Sequence, residues 1–275
     1  MSEQAESLRA SPSAEAADVP RWAIAPALRV LVGWTASLVL LPSIVLVLLL
    51  TPAQHRRRLG PALARVWGRL MLAICAIRLE ITPAARSAMA ERHARILTLN
   101  HTSTLDVVVG GALYPRHCVT VAKAEFRRTP IIGPAGALVG MIFIDRSDGR
   151  GARASLLAAI DRIHREELVV LIAPEGTRSR DGAMPAFRTG AFALAQAGNL
   201  PITPLVWHGV RALWPMGAFG PRAGTVVIDA LPTFTVPPGD DAPKAAAVRL
   251  RTDYMRALGI QEPLGAAEPE APSAT

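Results

Sequence analysis

A histidine and an aspartate five positions apart form the most chemically informative segment of this 275-residue sequence. His101 comes just after an apolar run that is typical of a strand, and Asp106 lies at the start of the following helix-length segment. An unbroken helix would place the two side chains about 140° apart, so they can meet only if the chain turns between them. With such a turn, Asp106 can hold one ring nitrogen of His101 while the other faces a substrate. The pair is therefore a candidate general base with its orienting carboxylate.

The same segment is also typical of a helix start. Ser103 and Asp106 have the spacing of a capping box, in which the first side chain and the one three residues later close the helix N-terminus. The local residues thus leave catalysis and helix capping open as interpretations of Asp106.

A second charged turn, Pro-Glu-Gly-Thr-Arg-Ser at 174–179, also follows an apolar run. Two such turns indicate one site.

Four sequence blocks in this order resemble those of the 1-acylglycerol-3-phosphate acyltransferase family. The first is the His-x4-Asp block at 101–106, and the second combines Lys123-Ala-Glu-Phe with an Ile-Phe-Ile-Asp-Arg run ending at Arg146. The third is the 174–179 turn, followed by Phe-Arg-Thr-Gly at 187–190, and the fourth is Leu-Pro-Ile-Thr-Pro-Leu at 200–205. The resemblance covers residues 78–206. The chain departs from the family pattern at Ala124, Ala173 and Thr189, which affects details of the acceptor and not the reaction type.

The resemblance implies acyl transfer from a thioester, either acyl-CoA or acyl carrier protein, to the free hydroxyl of 1-acylglycerol-3-phosphate. His101 would be the general base and Asp106 its partner. The acceptor phosphate requires cations and N–H donors, and the planar guanidinium of an Arg suits bidentate phosphate contacts. The expected substrate-binding residues are Lys123, Arg146, Glu175, Gly176, Thr177 and Arg178. A thioester is already activated, so neither a cofactor nor a metal is expected.

Two other functions remain consistent with these motifs. One is an acyltransferase for another lysolipid, such as a lyso-aminolipid or lyso-glycerophospholipid. The other is a membrane lipid-binding protein without turnover, although an intact His101 and Asp106 argue against it. An alternative role for Arg178 is a salt bridge to Glu175 or to another acid.

Composition favours a membrane surface as the partner. The net charge is +8, which suits either nucleic acid or an anionic membrane, but aromatic residues make up only 5% and no nucleic-acid-binding motif is present. We therefore expect no nucleic-acid partner. The two cysteines, Cys75 and Cys118, are too few for a disulfide framework and are expected to be inert buried thiols.

The N-terminal region is expected to associate with a membrane. Residues 30–53 carry no charge and as a helix would extend about 36 Å, enough to cross a hydrocarbon core of roughly 30 Å. A weaker apolar stretch at 70–77 could complete a helical hairpin, and the resemblance implies that this pair docks on a leaflet. The basic cluster 56–58 predicts a cytoplasmic location for the adjoining chain, on an inner membrane. The predicted divisions are a disordered leader (1–20), a membrane-associated helical region (21–77), an acyltransferase domain (78–260) and a disordered tail (261–275).

Strand-like and helix-length segments alternate after residue 78, which predicts an α/β fold with a largely parallel central sheet flanked by helices. The predicted strands are 79–82, 96–99, 118–122, 141–144, 168–173, 202–206 and 225–229. The predicted helices are 105–113, 153–165, 192–197 and 245–257. Sites in such sheets lie at the carboxyl ends of strands, where this assignment places both His101 and Glu175.

Overall fold

The structure is a computed structural model, and it describes residues 26–115, 117–130, 132–144, 151, 154, 157–176 and 183–260. The predicted leader 1–20 and tail 261–275 lie outside the described residues. The strands are β1 (Ile77–Ile81), β2 (Arg95–Leu99), β3 (Cys118–Lys123), β4 (Ile142–Ile144), β5 (Val169–Ile172), β6 (Ile202–His208) and β7 (Gly224–Ala230). The helices are α1 (Pro26–Leu50), α2 (Ala53–Ile74), α3 (Pro83–Ala90), α4 (Leu105–Leu113), α5 (Ile132–Val139), α6 (Ile160–Arg165), α7 (Gly190–Ala197), α8 (Val210–Leu213) and α9 (Ala242–Leu258), with a 3₁₀ helix at Ala124–Arg128.

The seven strands form one sheet in the order β1-β7-β6-β2-β5-β3-β4. All neighbours pair in parallel except β6 and β7, which are antiparallel. The predicted largely parallel α/β sheet is thus confirmed, and each predicted strand is present to within two residues at either end. The central strand β2 lies between β5 and β6, so its carboxyl end has a parallel neighbour on both sides.

Both faces of the sheet are covered, as the apolar sequence of its central strands requires. Successive side chains of a strand point to opposite faces, and Ile96 and Leu97 accordingly belong to two separate apolar clusters. The cluster around Ile96 is closed by α7 and α9, with Phe192 and Leu250 at its centre. The cluster around Leu97 is closed by α4 through Leu105. The helix that carries Asp106 is therefore fixed to the sheet by its buried face.

The predicted helix 105–113 is correct in both bounds, and helices near 192 and 245 begin two to three residues earlier than predicted. The predicted helix 153–165 is observed over Ile160–Arg165, and residues 152–153 and 155–156 lie outside the described part. Three short helices, α3, α5 and α8, and the 3₁₀ helix were not predicted. They have four to eight residues, too few for a helical period to stand out from the flanking sequence.

The N-terminal helices form an antiparallel hairpin. The indole N–H of Trp67 on α2 donates to Ser37 Oγ on α1 at 3.2 Å, and Ser37 Oγ also lies 3.0 Å from Met71 Sδ. The predicted hairpin is present, but its second arm begins at Ala53 and not near residue 70. The basic cluster 56–58 consequently lies within the first turns of α2. Among the described helices, α1 alone is long and apolar enough to cross a membrane.

The hairpin is joined to the α/β domain by a close approach of α2 and α4. A Cβ atom added at Gly68 would lie 2.2 Å from the backbone nitrogen of Ala112 and 2.7 Å from the carbonyl oxygen of Val108. Backbone atoms of a packed helix cannot move aside as a flexible side chain can. Only glycine at this position allows the two helices to pack at the observed distance.

We expect Gly68→Ala to destabilise the protein by about 1–3 kcal/mol, the usual cost of overpacking a helix interface. Thermal unfolding in detergent micelles measures the change. Gly110→Ala on α4 is the matched control, since its added Cβ would be 3.5 Å from Trp207, an ordinary contact, and alanine favours the helix. Equal stabilities of the two variants would contradict a tight α2–α4 interface.

Candidate active site

His101 and Asp106 meet at the carboxyl edge of the sheet. The ring Nδ1 of His101 lies 2.9 Å from Asp106 Oδ2. The Asp106 side chain is 2% exposed, whereas that of His101 is 29% exposed. A carboxylate oxygen is a hydrogen-bond acceptor, so in this contact Nδ1 is the donor and Nε2 is the ring nitrogen that faces away from Asp106. The contact predicted from the turn in the chain is therefore present, with the basic nitrogen on a partly exposed ring.

Asp106 also closes the start of α4. Its Oδ2 accepts the backbone N–H of Ser103 at 2.8 Å, and Ser103 Oγ accepts the backbone N–H of Leu105 at 3.0 Å. The predicted capping box is realised only in part, because the N-cap is Thr104 and not Ser103, and the Ser103 hydroxyl accepts from Leu105 and not from Asp106. The same carboxylate oxygen of Asp106 takes the Ser103 N–H and the contact to the histidine. The helix start fixes the carboxylate, and the carboxylate fixes the ring.

Glu175 joins the second charged turn to the first. Its Oε1 accepts the backbone N–H of His101 at 3.0 Å. Since β2 and β5 are parallel neighbours, the turns after them meet at one edge of the sheet. Glu175 is 1% exposed, and its Oε2 has no hydrogen-bond partner among the described residues. Burial raises the pKa of Glu175 to about 7; the His101 N–H opposes that change and the negative charge of Asp106 adds to it.

Asn100 is a positioning residue that sequence reasoning missed. Its side-chain amide donates to the carbonyl of Trp207 at 3.0 Å, and its Oδ1 accepts the backbone N–H of Trp207 at 2.7 Å. These bonds tie the end of β2 to β6. Asn100 directly precedes the first sequence block, but nothing in the sequence indicates a partner 107 residues away.

The remaining expected binding residues are only partly visible. Gly176 has a φ of +73°, a conformation that glycine adopts without strain, and it turns the chain directly after Glu175. Lys123 ends β3, but its side chain lies outside the described part. Arg146, Thr177 and Arg178 also lie outside the described residues. Their roles therefore stay predictions.

Cys118 is a buried structural thiol, as expected. It is 5% exposed, and burial raises its pKa to about 12. A thiol with that pKa is almost fully protonated at neutral pH and is a poor nucleophile. Cys75 is only half-buried.

Replacing Glu175 by Gln should make stability less sensitive to pH. A carboxyl group whose pKa rises on folding, here from 4.5 to about 7, stabilises the folded state below pH 4.5 and loses that contribution as pH rises to about 7. The stabilising contribution of Glu175 that is lost over this pH range corresponds to about 3 kcal/mol of unfolding free energy. Between about pH 4.5 and 7.5, we thus expect Glu175→Gln to gain up to this amount relative to the unsubstituted protein.

The measurement is thermal or denaturant unfolding in detergent micelles at several pH values. Glu80→Gln on the exposed side of β1 is the control, and its stability difference should not change with pH in the same way. A Glu175→Gln difference that is constant across this pH range would show that the buried carboxyl group keeps its ordinary pKa.

Known proteins share both the sequence and the fold of this chain. Residues 80–208 match the model of the Acyltransferase family. A 1-acyl-sn-glycerol-3-phosphate acyltransferase of Limnanthes douglasii is 32% identical over 228 residues, covering 81% of this chain and 78% of the relative. The beta form from Homo sapiens is 32% identical over 163 residues, covering 57% of each chain.

A solved structure has the same fold at low sequence identity. The crystal structure of the 1-acyl-sn-glycerophosphate acyltransferase from Thermotoga maritima matches with a TM-score of 0.68 and 17% identity, covering 88% of this chain and 98% of that chain. The family match includes β2, the His101 turn and the Glu175 turn. By its sequence relatives, and with a fold that agrees, this chain belongs to the acyltransferase family of the 1-acyl-sn-glycerol-3-phosphate acyltransferases.

Proposed function

We propose that this protein transfers an acyl group from a thioester to the free hydroxyl of 1-acylglycerol-3-phosphate, giving phosphatidate. The observation that carries the proposal is the 2.9 Å contact between His101 and Asp106 at the carboxyl edge of the sheet. It occurs in a chain whose relatives are named for this reaction. The donor is acyl-CoA or acyl carrier protein, since both offer the same thioester.

In the proposed reaction, Nε2 of His101 takes the proton of the acceptor hydroxyl while the hydroxyl oxygen attacks the thioester carbon. Asp106 holds the other ring nitrogen and stabilises the imidazolium that forms. Collapse of the tetrahedral intermediate breaks the carbon–sulfur bond, and the imidazolium returns its proton to the leaving thiolate. The acyl group moves directly from the thioester to the acceptor hydroxyl. The proposed reaction therefore requires neither a resident cofactor nor a covalent enzyme intermediate. Base catalysis of this kind supplies about 10²–10⁴-fold in rate.

The acceptor phosphate is proposed to bind at the turn that Glu175 attaches to His101. Arg178 follows Glu175 by three positions, and its guanidinium can contact two phosphate oxygens at once. Lys123 and Arg146 would add positive charge, while Gly176 and Thr177 shape the turn. Glu175 itself serves as a support for the turn, because its Oε1 is engaged by the His101 backbone. An acceptor without phosphate would gain nothing from Arg178.

The substrate lipids are proposed to reach the site from one membrane leaflet, with the α/β domain on the cytoplasmic face of the inner membrane. The large apolar side chains along α1 are mostly exposed, as expected for a helix surrounded by lipid. Both ends of α1 contact the α/β domain, Val30 beside Gly220 and Leu48 near Val139 of α5. These contacts support the proposal that α1 lies along the domain and within one leaflet.

The decisive experiment supplies lysophosphatidate with acyl-CoA or with acyl carrier protein to the purified protein in vesicles and measures phosphatidate. A lyso-aminolipid and a lyso-glycerophospholipid form the comparison arms. Preference for lysophosphatidate with either donor supports the proposal. Preference for another acceptor would assign a different lysolipid, and the absence of thioester consumption in all arms would indicate a lipid-binding protein.

A further inference from the structure

An exposed phenylalanine lies on the loop that connects α8 to β7. The side chain of Phe219 is 75% exposed, more than any other large apolar side chain of the described residues outside α1. It lies beside Trp34 of α1, with ring centroids 6.5 Å apart. A single exposed aromatic residue has no meaning by itself. The backbone around Phe219 provides the independent observation.

Both carbonyl groups at the tip of this loop accept hydrogen bonds from tryptophan side chains. The indole N–H of Trp214 donates to the carbonyl of Ala218 at 3.0 Å, and the indole N–H of Trp34 donates to the carbonyl of Phe219 at 3.1 Å. The Ala218 N–H in turn donates to the carbonyl of Pro215 at 3.2 Å. An exposed loop in water does not need such partners, because water satisfies its backbone. A loop that enters lipid does need them.

The loop also continues the apolar surface of α1. Trp34 contacts Trp214 in a T-shaped pair with centroids 6.1 Å apart, and Gly220 lies against Val30. On the same part of α1, Leu31 and Leu38 are exposed. Arg222, three residues after Phe219, is exposed as well. Tryptophan and arginine beside an exposed apolar surface are typical of the membrane interface.

We propose that the loop 214–222 is a second membrane contact, with Phe219 inserted into the same leaflet as α1. The inference rests on the membrane docking in the proposed function and extends it beyond the N-terminal hairpin. Its consequence concerns the active site, because the carbonyl of Trp214 accepts the hydroxyl of Ser103 at 2.6 Å. Ser103 in turn donates its backbone N–H to Asp106. The loop therefore fixes the His101 turn relative to the leaflet that supplies the lysolipid.

The test attaches an environment-sensitive fluorophore at position 219 of the full chain in vesicles of phosphatidylcholine and phosphatidylglycerol. Phe219→Cys and the control Val248→Cys are made in a Cys75→Ala, Cys118→Ala background. Val248 is 62% exposed on α9, which closes the opposite face of the sheet from α4. With brominated acyl chains in the vesicles, quenching at 219 should exceed that at 248 by about threefold or more, as expected for side chains at the acyl boundary.

A second pair of variants removes the dependence on a cysteine-free background. Phe219→Trp and Val248→Trp in the otherwise unchanged chain are compared by brominated-lipid quenching, each after subtraction of the quenching of the five tryptophans of the unsubstituted protein. Equal quenching at the two positions would overturn the proposal. In the fluorophore experiment, a blue-shifted emission at position 219 that brominated lipid does not quench would also overturn the proposal. Position 219 would then face protein, such as a second copy of the chain. Neither measurement requires turnover, so the result is independent of whether lysophosphatidate is the acceptor.

Discussion

His101→Ala is expected to lower kcat/KM for phosphatidate formation by about 10²–10⁴-fold, the range that a positioned general base supplies. The ring is partly exposed, and Asp106 is its hydrogen-bond partner among the described residues. Its removal leaves the backbone N–H of residue 101 free to donate to Glu175 as before. Folding should therefore survive, and the loss should appear in the rate. Phosphatidate production under single-turnover and steady-state conditions measures it.

The matched control is His93→Ala. His93 lies before the amino end of β2, at the opposite edge of the sheet, and its side chain is half-exposed near Glu91. This variant should retain activity and membrane binding. A His101→Ala protein that is folded and works at nearly the normal rate would refute the assignment of the general base.

The sheet was predictable because each strand carries its own signal. Apolar runs such as 96–99 and 202–206 end at turn residues, and helix-length segments between them require parallel pairing. The strand order was not predictable, since no local feature of β2 indicates that β5 and β6 will be its neighbours. The bonds from Asn100 to Trp207 depend on that order. Local patterns thus predict elements, and long-range packing determines their partners.

For the candidate site, too, the local contacts were predictable and the long-range contacts were not. The His101–Asp106 contact is local, and the turn required by their spacing was enough to predict it. The role of Glu175 was less clear, because a buried carboxyl group that accepts a backbone N–H is visible only when two strand ends are adjacent. The second arm of the hairpin was predicted less well, since only its apolar stretch 70–77 has a clear signal. α2 starts three residues after α1 ends, and its first turns carry the basic cluster 56–58.

Asp106→Asn distinguishes the two interpretations that the sequence left open. Asparagine keeps an oxygen that can accept the Ser103 N–H, so the hydrogen bond that closes the start of α4 can still form. A role in capping alone therefore predicts normal activity and stability. A catalytic role predicts a fall in kcat of about 10²–10⁴-fold, because the neutral amide does not stabilise the imidazolium and its NH₂ group can favour the wrong ring tautomer.

The control for this charge removal is Asp161→Asn. Asp161 also lies in the first turn of a helix, α6, but it is exposed and lies outside the proposed site. It should show no effect on kcat. Full activity of a folded Asp106→Asn protein would show that Asp106 closes the helix start and has no catalytic role. Loss of kcat at unchanged melting temperature would instead show that the oxygen that closes α4 also holds the base. The Asp106 carboxylate would then both close the start of α4 and hold the His101 ring. It can do both because the turn that starts the helix also brings His101 next to Asp106.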